Sequence, residues 1–193
     1  YGIDDSFISD LASQLVDIHK SNVQLVIVIG GGNFFRGSDL VNLGIQRVTA
    51  DHMGMLATVI NSLALQSSIE KLNVECRVMS SITIDAVCEK YIKRRAERHL
   101  EKNRIIVLAA GTGNPFFTTD SAASLRAIEL GAEIMLKGTK VDGIYNKDPI
   151  KYSDASLYKE ISYKDVIAKN LAVMDATAVV MCKENNMPLK VFN

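Results

Sequence analysis

Two short apolar runs, each ending in glycines, constrain the fold of this chain more than any other feature. Val23 to Ile29 is almost wholly apolar and rich in β-branched residues, and it runs straight into Gly30-Gly31-Gly32. Arg104 to Ala109 repeats the pattern ahead of Gly111-Thr112-Gly113. A strand with one wet face alternates polar and apolar residues, so unbroken runs of this length mark strands covered on both faces, as in parallel sheets. Helical spacing fills the intervals. Phe7, Ile8, Leu11, Leu15 and Ile18 recur behind Asp4-Asp5-Ser6, which supply caps for a helix ending near Lys20. Asp51 to Asn73 carries Met55, Leu56, Val59, Ile60, Leu63, Leu65 and Ile69, apolar around most of its circumference. It reads as a helix sandwiched between the sheet and a second cover, such as another subunit.

The same patterns predict a strand over Val74 to Met79 and a charged helix over Asp85 to Leu100 with Ala86, Val87, Tyr91 and Ile92 inward. Further on they predict a helix over Ala122 to Leu130, a strand over Glu133 to Leu136, helices over Ser162 to Asn170 and Asp175 to Asn186, and a closing strand over Pro188 to Phe192. Strands alternating with helices indicate an α/β fold, a three-layer α/β/α sandwich around a mainly parallel sheet. With 193 residues, 48% of them hydrophobic, the expectation is a single domain with one substantial core.

The loop Ala110 to Asp120 is the chemically suggestive stretch. Its glycines let backbone approach a bound group, and Asn114-Pro115 forces a turn where a strand ends. Thr118 or Thr119 can cap a helix beginning near Ser121, and free amides with hydroxyls at a helix N-terminus bind phosphate well. Asp120 would repel phosphates unless it holds Mg²⁺ or orients a cation, which points toward phosphoryl chemistry. A Gly-Asn-Pro turn before a capped helix is also a common structural device, so this loop alone leaves both readings open. Gly138 to Pro149, rich in turn residues, can close over a planar ligand. In a parallel sheet, ligands sit outside the carboxyl ends of the strands, where the glycine run and both loops are expected. Two familiar motifs are missed: Gly32 and Gly37-Ser38 have Walker spacing without its lysine, and Phe35 stands where a dinucleotide fingerprint needs glycine.

Composition narrows the classes further. Basic and acidic residues balance at 22 each, so no global field favours nucleic acid or an anionic membrane. No run reaches a membrane span and no charged-then-apolar leader opens the chain, so a soluble cytoplasmic protein is expected. Cys76, Cys88 and Cys182 lack paired spacing and read as free thiols of a reducing compartment, and His19, His52 and His99 lack metal-ligand spacing, so no protein-held metal cluster is expected.

With the loops placed, the chain closely resembles the bacterial uridylate kinases (UMP kinases) of the amino-acid kinase superfamily, nearly end to end. The resemblance is carried by Val28 to Gly37, by Asp51-His52-Met53-Gly54-Met55-Leu56-Ala57-Thr58, by Gly111 to Asp120, by Thr139-Lys140-Val141-Asp142-Gly143 and by Val173-Met174-Asp175. The long Gly-Thr-Gly-Asn-Pro-Phe-Phe-Thr-Thr-Asp loop separates it from acetylglutamate kinases and aspartokinases. What the resemblance implies is transfer of the ATP γ-phosphoryl group to UMP, giving UDP, with Mg²⁺ bound to the ATP.

By position, the resemblance puts Gly31, Asp51, Thr112, Gly113, Asn114, Pro115, Phe116, Phe117, Thr118 and Thr119 at UMP, with Asp51 on the ribose hydroxyls. Read as a lone residue, Asp51 is more often a helix cap, and Phe116-Phe117 on sequence alone is more often a core pair than a base-stacking one. Gly32 and Arg36 would serve the ATP phosphates, and Thr139, Tyr145 and Asp148 the adenine and ribose of ATP. Arg36 and Mg²⁺ would neutralise most charge on the transferring group, with Asp120 and Asp175 organising metal or cationic groups and Lys137 adding a phosphate contact.

The family also begins with a strand and a Lys-x-Ser-Gly-Glu segment that meets the ATP phosphates, and it ends with a further strand; neither is present between Tyr1 and Asn193. The resemblance therefore implies a longer polypeptide, of which these residues alone would be poorly soluble and kinase-inactive. The family is often hexameric, which implies a homo-oligomer, and often regulated by GTP and UTP. Gln66 and Glu70 stand where some members have basic residues facing GTP. Two other readings remain: a superfamily relative that phosphorylates a carboxylate or carbamate, and a UMP-sensing regulator without turnover.

Overall fold

A computed structural model describes residues 2–35 and 44–193, so Arg36 and the Gly37-Ser38 pair lie outside the described residues. The chain divides into two compact units, one ending at Thr119 and one running from Asp120 to Asn193.

The first unit opens on α1 (Asp5–Lys20). As expected from the sequence, Asp4 caps it, its carboxylate accepting from the Phe7 amide at 3.1 Å. Four strands follow, β1 (Val26–Val28), β2 (Cys76–Ser80), β3 (Glu89–Lys90) and β4 (Ile105–Ala109), with α2 (Arg47–Glu70) and α3 (Lys93–Glu101) between them. They form one sheet in the order β1-β4-β2-β3, every pairing parallel. All five residues of β4 are buried, as its unbroken apolar run predicts. Each fully buried Val, Ile or Leu contributes about 1.5–3 kcal/mol, so this central strand is a large part of the unit's stability. Leu108 is level with Val28 on one side and Met79 on the other, so the loops leaving β1, β4 and β2 emerge from one edge of the sheet.

Helix α2 lays Met55, Val59, Leu65 and Ile69 into the core. Leu56 and Ile60, on its other side, stay about half exposed within this chain. The helix starts at Arg47, a turn earlier than the sequence suggests, and Asp51 sits inside it rather than at its cap. The predicted helix over Asp85 to Leu100 is corrected. Residues 89–90 instead form an edge strand on Met79 and Ser80, the Tyr91 amide donates to the Ser80 carbonyl at 2.8 Å, and helix begins only at Lys93. Val87 and Ile92, expected inward, are exposed.

The second unit holds α4 (Thr119–Glu129), which starts on the last residue of the first unit, then β5 (Met135–Gly138), α5 (Tyr163–Ala168), α6 (Ala176–Glu184) and β6 (Leu189–Phe192). β5 and β6 pair in parallel. β5 begins two residues later than predicted, leaving Ile134 exposed. Ser162 and Asp175 cap α5 and α6, accepting from the amides of Asp165 and Ala178. The core gathers Met135, Cys182 and Met187, and the Tyr163 hydroxyl donates to the Met187 carbonyl at 2.7 Å. Cys76 and Cys182 are fully buried free thiols, and burial pushes the Cys76 thiol up to about 12, so it stays protonated and inert.

Candidate functional site

At the carboxyl edge of the first sheet, the backbone after β1 lies almost against α2. A Cβ on Gly31 would fall 2.7 Å from the Gly54 carbonyl and 2.9 Å from the Ala57 Cβ, so only glycine permits this approach. Asn61, nine-tenths buried, holds the same turn from α2: its amide donates to the Gly30 carbonyl at 2.8 Å and pairs with the Asn33 amide in both directions. Thr58 ties α2 to the loop after β4. Its hydroxyl accepts from the Ala110 amide at 2.7 Å and donates to the Met55 carbonyl at 2.7 Å. We expect Thr58→Val, which keeps the shape but strands the buried Ala110 amide, to destabilise the protein by about 1–3 kcal/mol, read from denaturant melts.

The loop itself is tightly bent. Ala110, Gly111, Gly113 and Phe116 all have positive φ, at 62°, 56°, 82° and 70°. Gly113 presses on Ser81, where a Cβ would meet the Ser81 carbonyl at 3.1 Å, and the Ser81 hydroxyl donates to the Gly111 carbonyl at 2.7 Å. Asp51 reaches across from α2, accepting from the Phe116 amide at 2.8 Å and from Arg47 Nε at 2.9 and 3.0 Å.

These elements enclose a hollow of about 320 Å³. Of the residues predicted at UMP, Gly31, Asp51, Thr112, Asn114, Phe117, Thr118 and Thr119 line it. Gly113, Pro115 and Phe116 do not, though Phe116 reaches Asp51 through its amide. Gly32, predicted at the ATP phosphates, lines the same hollow as Gly31. A carboxylate acceptor, threonine hydroxyls and an exposed aromatic ring suit a ligand with hydroxyls, an anion and a planar base. Sequence reasoning missed Thr58 and Asn61, because a Thr or Asn inside a helix reads as its solvated face. Only their fit to unpaired loop groups reveals their part.

The second unit has a hollow of about 430 Å³ lined by Thr139, Tyr145 and Asp148, the three residues predicted at adenine and ribose, together with Gly143, Lys147 and Lys169 among others. Each is locally fixed. The Thr139 hydroxyl donates to the Val141 carbonyl at 2.7 Å, Tyr145 bridges to Leu157, and the Asp148 carboxylate accepts from the Ile150 amide at 2.9 Å. Asp120 and Lys137 form an ion pair at 2.5 Å. The Asp175 carboxylate is committed to the cap of α6 and to the Ser121 hydroxyl, 3.0 and 3.1 Å from its two oxygens.

The family model described as "Amino acid kinase family" matches residues 2–193. The chain belongs to this family. As an amino acid kinase it has the α/β/α architecture with a mainly parallel sheet that its sequence pattern predicts. A uridylate kinase of Dichelobacter nodosus is 56% identical over 193 residues, matched to 100% of this chain and 80% of its own length. A uridylate kinase of Xanthomonas campestris pv. campestris is 56% identical over 192 residues with the same coverage. Among solved structures, a UMP kinase from Ureaplasma parvum superimposes with a TM-score of 0.95 at 43% identity, over 99% of this chain and 81% of that one. One from Bacillus anthracis gives 0.96 at 39% identity, over 100% and 80%.

Proposed function

We propose that this amino acid kinase is a uridylate kinase, an enzyme that moves the γ-phosphoryl group of ATP to UMP and releases UDP and ADP. The observation that carries this reading is the first hollow, where Asp51 and the Thr112 to Thr119 loop, far apart in sequence, meet in a chain 56% identical to proteins named for that activity. UMP lies there, its ribose on Asp51 and its base toward Phe117, with Gly31 giving its backbone to the nucleotide. ATP uses the second hollow, with Thr139, Tyr145 and Asp148 around adenine and ribose, while Gly32 and Arg36 serve its phosphates. Phosphoryl transfer asks the protein for in-line positioning and for charge on the equatorial oxygens to be met, which is chiefly the part of Arg36, with Lys137 adding a phosphate contact.

Mg²⁺ supplies further charge neutralisation when it arrives with ATP. The residues fit such an ion: Mg²⁺ is usually held by one or two carboxylates plus substrate phosphates, and a partly exposed carboxylate is present at Asp120. Asp120, partly exposed beside Lys137, is the carboxylate that would face the ion. Asp175, which caps α6 and accepts from Ser121, is the second carboxylate assigned to organising metal or cationic groups. The polypeptide works as one kinase domain in a reducing cytoplasm, where its three thiols stay free. It assembles as a homo-oligomer, hexameric on the family pattern, and the exposed Leu56 and Ile60 on α2 offer an apolar face for that.

The test is ADP release by the full-length protein with UMP, CMP, acetylglutamate or carbamate. UMP-dependent release is expected; turnover of acetylglutamate or carbamate instead, or UMP binding without ADP release, would overturn the reading. In the same assay Asp51→Asn is expected to weaken UMP by roughly 1.5–3 kcal/mol and to leave 2′-deoxy-UMP nearly unchanged, since only UMP loses a charged acceptor for its 2′-hydroxyl. Equal losses would take Asp51 off the ribose.

A further inference from the structure

The Asp51 carboxylate is held before any ligand arrives, and the group that holds it is Arg47. Its Nε–H is shared between both carboxylate oxygens, at 2.9 and 3.0 Å, while its guanidinium lies 5.7 Å from the centre of the Phe116 ring. Phe116 in turn donates its amide to Asp51 at 2.8 Å from a left-handed backbone that a phenylalanine rarely adopts. We propose that Arg47 is a positioning residue of the nucleotide hollow, latching Asp51 on α2 to Phe116 in the loop after β4 and so presenting a fixed, charge-offset carboxylate to a ribose hydroxyl. This rests on the uridylate kinase reading.

The chemistry agrees on three counts. An ionised carboxylate has about four acceptor sites, and one shared Nε–H plus one amide leaves capacity for a hydroxyl. An unpaired Asp51 would repel the phosphate of a nucleotide in the same hollow, and Arg47 offsets that charge. The pair also fixes rotamers on both sides, so the acceptor is in place before binding. Arg47 is itself half exposed, with a side-chain exposure of 55% against 14% for Asp51, so its removal need not disturb the core.

The experiment compares Arg47→Ala and Arg47→Lys with the full-length wild type for kcat and KM on UMP and 2′-deoxy-UMP, alongside amide hydrogen exchange of residues 112–118. In Arg47→Ala the KM for UMP is expected to rise about tenfold with kcat within about threefold, and the preference for UMP over 2′-deoxy-UMP to shrink. Exchange at Phe116 should quicken while the melting temperature holds. Lysine restores charge but not the shared Nε–H, so it should recover part of the KM and little of the ribose preference. An unchanged UMP to 2′-deoxy-UMP ratio together with unchanged Phe116 exchange in Arg47→Ala would overturn the latch. If the wild type does not turn over UMP, the functional reading fails, and the exchange measurement alone decides whether Arg47 holds the loop.

Discussion

Gly31→Ala is expected to lower kcat/KM for UMP by about 10²-fold or more, because misplacing a substrate-positioning backbone by around 1 Å can have that effect. The added methyl would sit 2.7 Å from the Gly54 carbonyl and 2.9 Å from the Ala57 Cβ. Both neighbours belong to α2 and neither is the far end of a flexible side chain, so the turn after β1 and the helix must separate. Overpacking of this kind destabilises by about 1–3 kcal/mol, a fall in Tm of roughly 2–12 °C for a chain of this size. Gly32→Ala is the control for the melt, since a Cβ there meets nothing within 4 Å. A Gly31→Ala protein with wild-type kinetics and the same melting curve would show that α2 does not press on this turn.

Arg36→Ala should have the largest effect on chemistry, lowering turnover about 10³-fold or more while UMP still binds. Negative charge on the transferring phosphoryl group is met by cations and donors alone, with no covalent help from the protein, and a guanidinium meets several oxygens at once. Lys137, the other cation assigned to phosphate, is already engaged with Asp120 and compensates poorly. Single-turnover rates, with UMP affinity measured separately by calorimetry, give the answer. Activity within tenfold of wild type would remove Arg36 from that role.

The parts of the fold legible in the sequence were those where local pattern and burial agree. Ile105 to Ala109 is apolar because both sheet faces are covered, Val26 to Val28 shows the same apolar pattern while only half-buried, and Asp4 caps α1 as its position before Phe7 predicts. The misread segment, 85–92, is where tertiary pairing overrides local spacing: Glu89 and Lys90 take the free edge of β2, and no propensity marks a two-residue strand. The early start of α2 was hidden for a related reason. Its N-cap Gln46 makes no side-chain cap, so the usual signal is missing, and the Arg47–Asp51 ion pair inside the first turns has no counterpart in cap patterns. In the candidate site, glycines and the long loop announced themselves by composition. Thr58, Asn61 and Arg47 did not, because their partners Ala110, Gly30 and Phe116 are backbone groups or rings whose proximity only the fold creates.

The order β1-β4-β2 also sets a timetable for the chain as it is made. β1 is synthesised well before β2, yet among the described residues the two do not pair with each other; the strand that joins them is complete only at Ala109. At about 5–20 residues per second, the 81 residues from Val28 to Ala109 take roughly 4–16 s to appear. For that interval β1 lacks its β4 neighbour, and Cys76 to Ser80 waits for the same strand once made. A nascent chain of this topology therefore carries two strands that wait for one shared neighbour, and slow translation between β2 and β4 prolongs the wait.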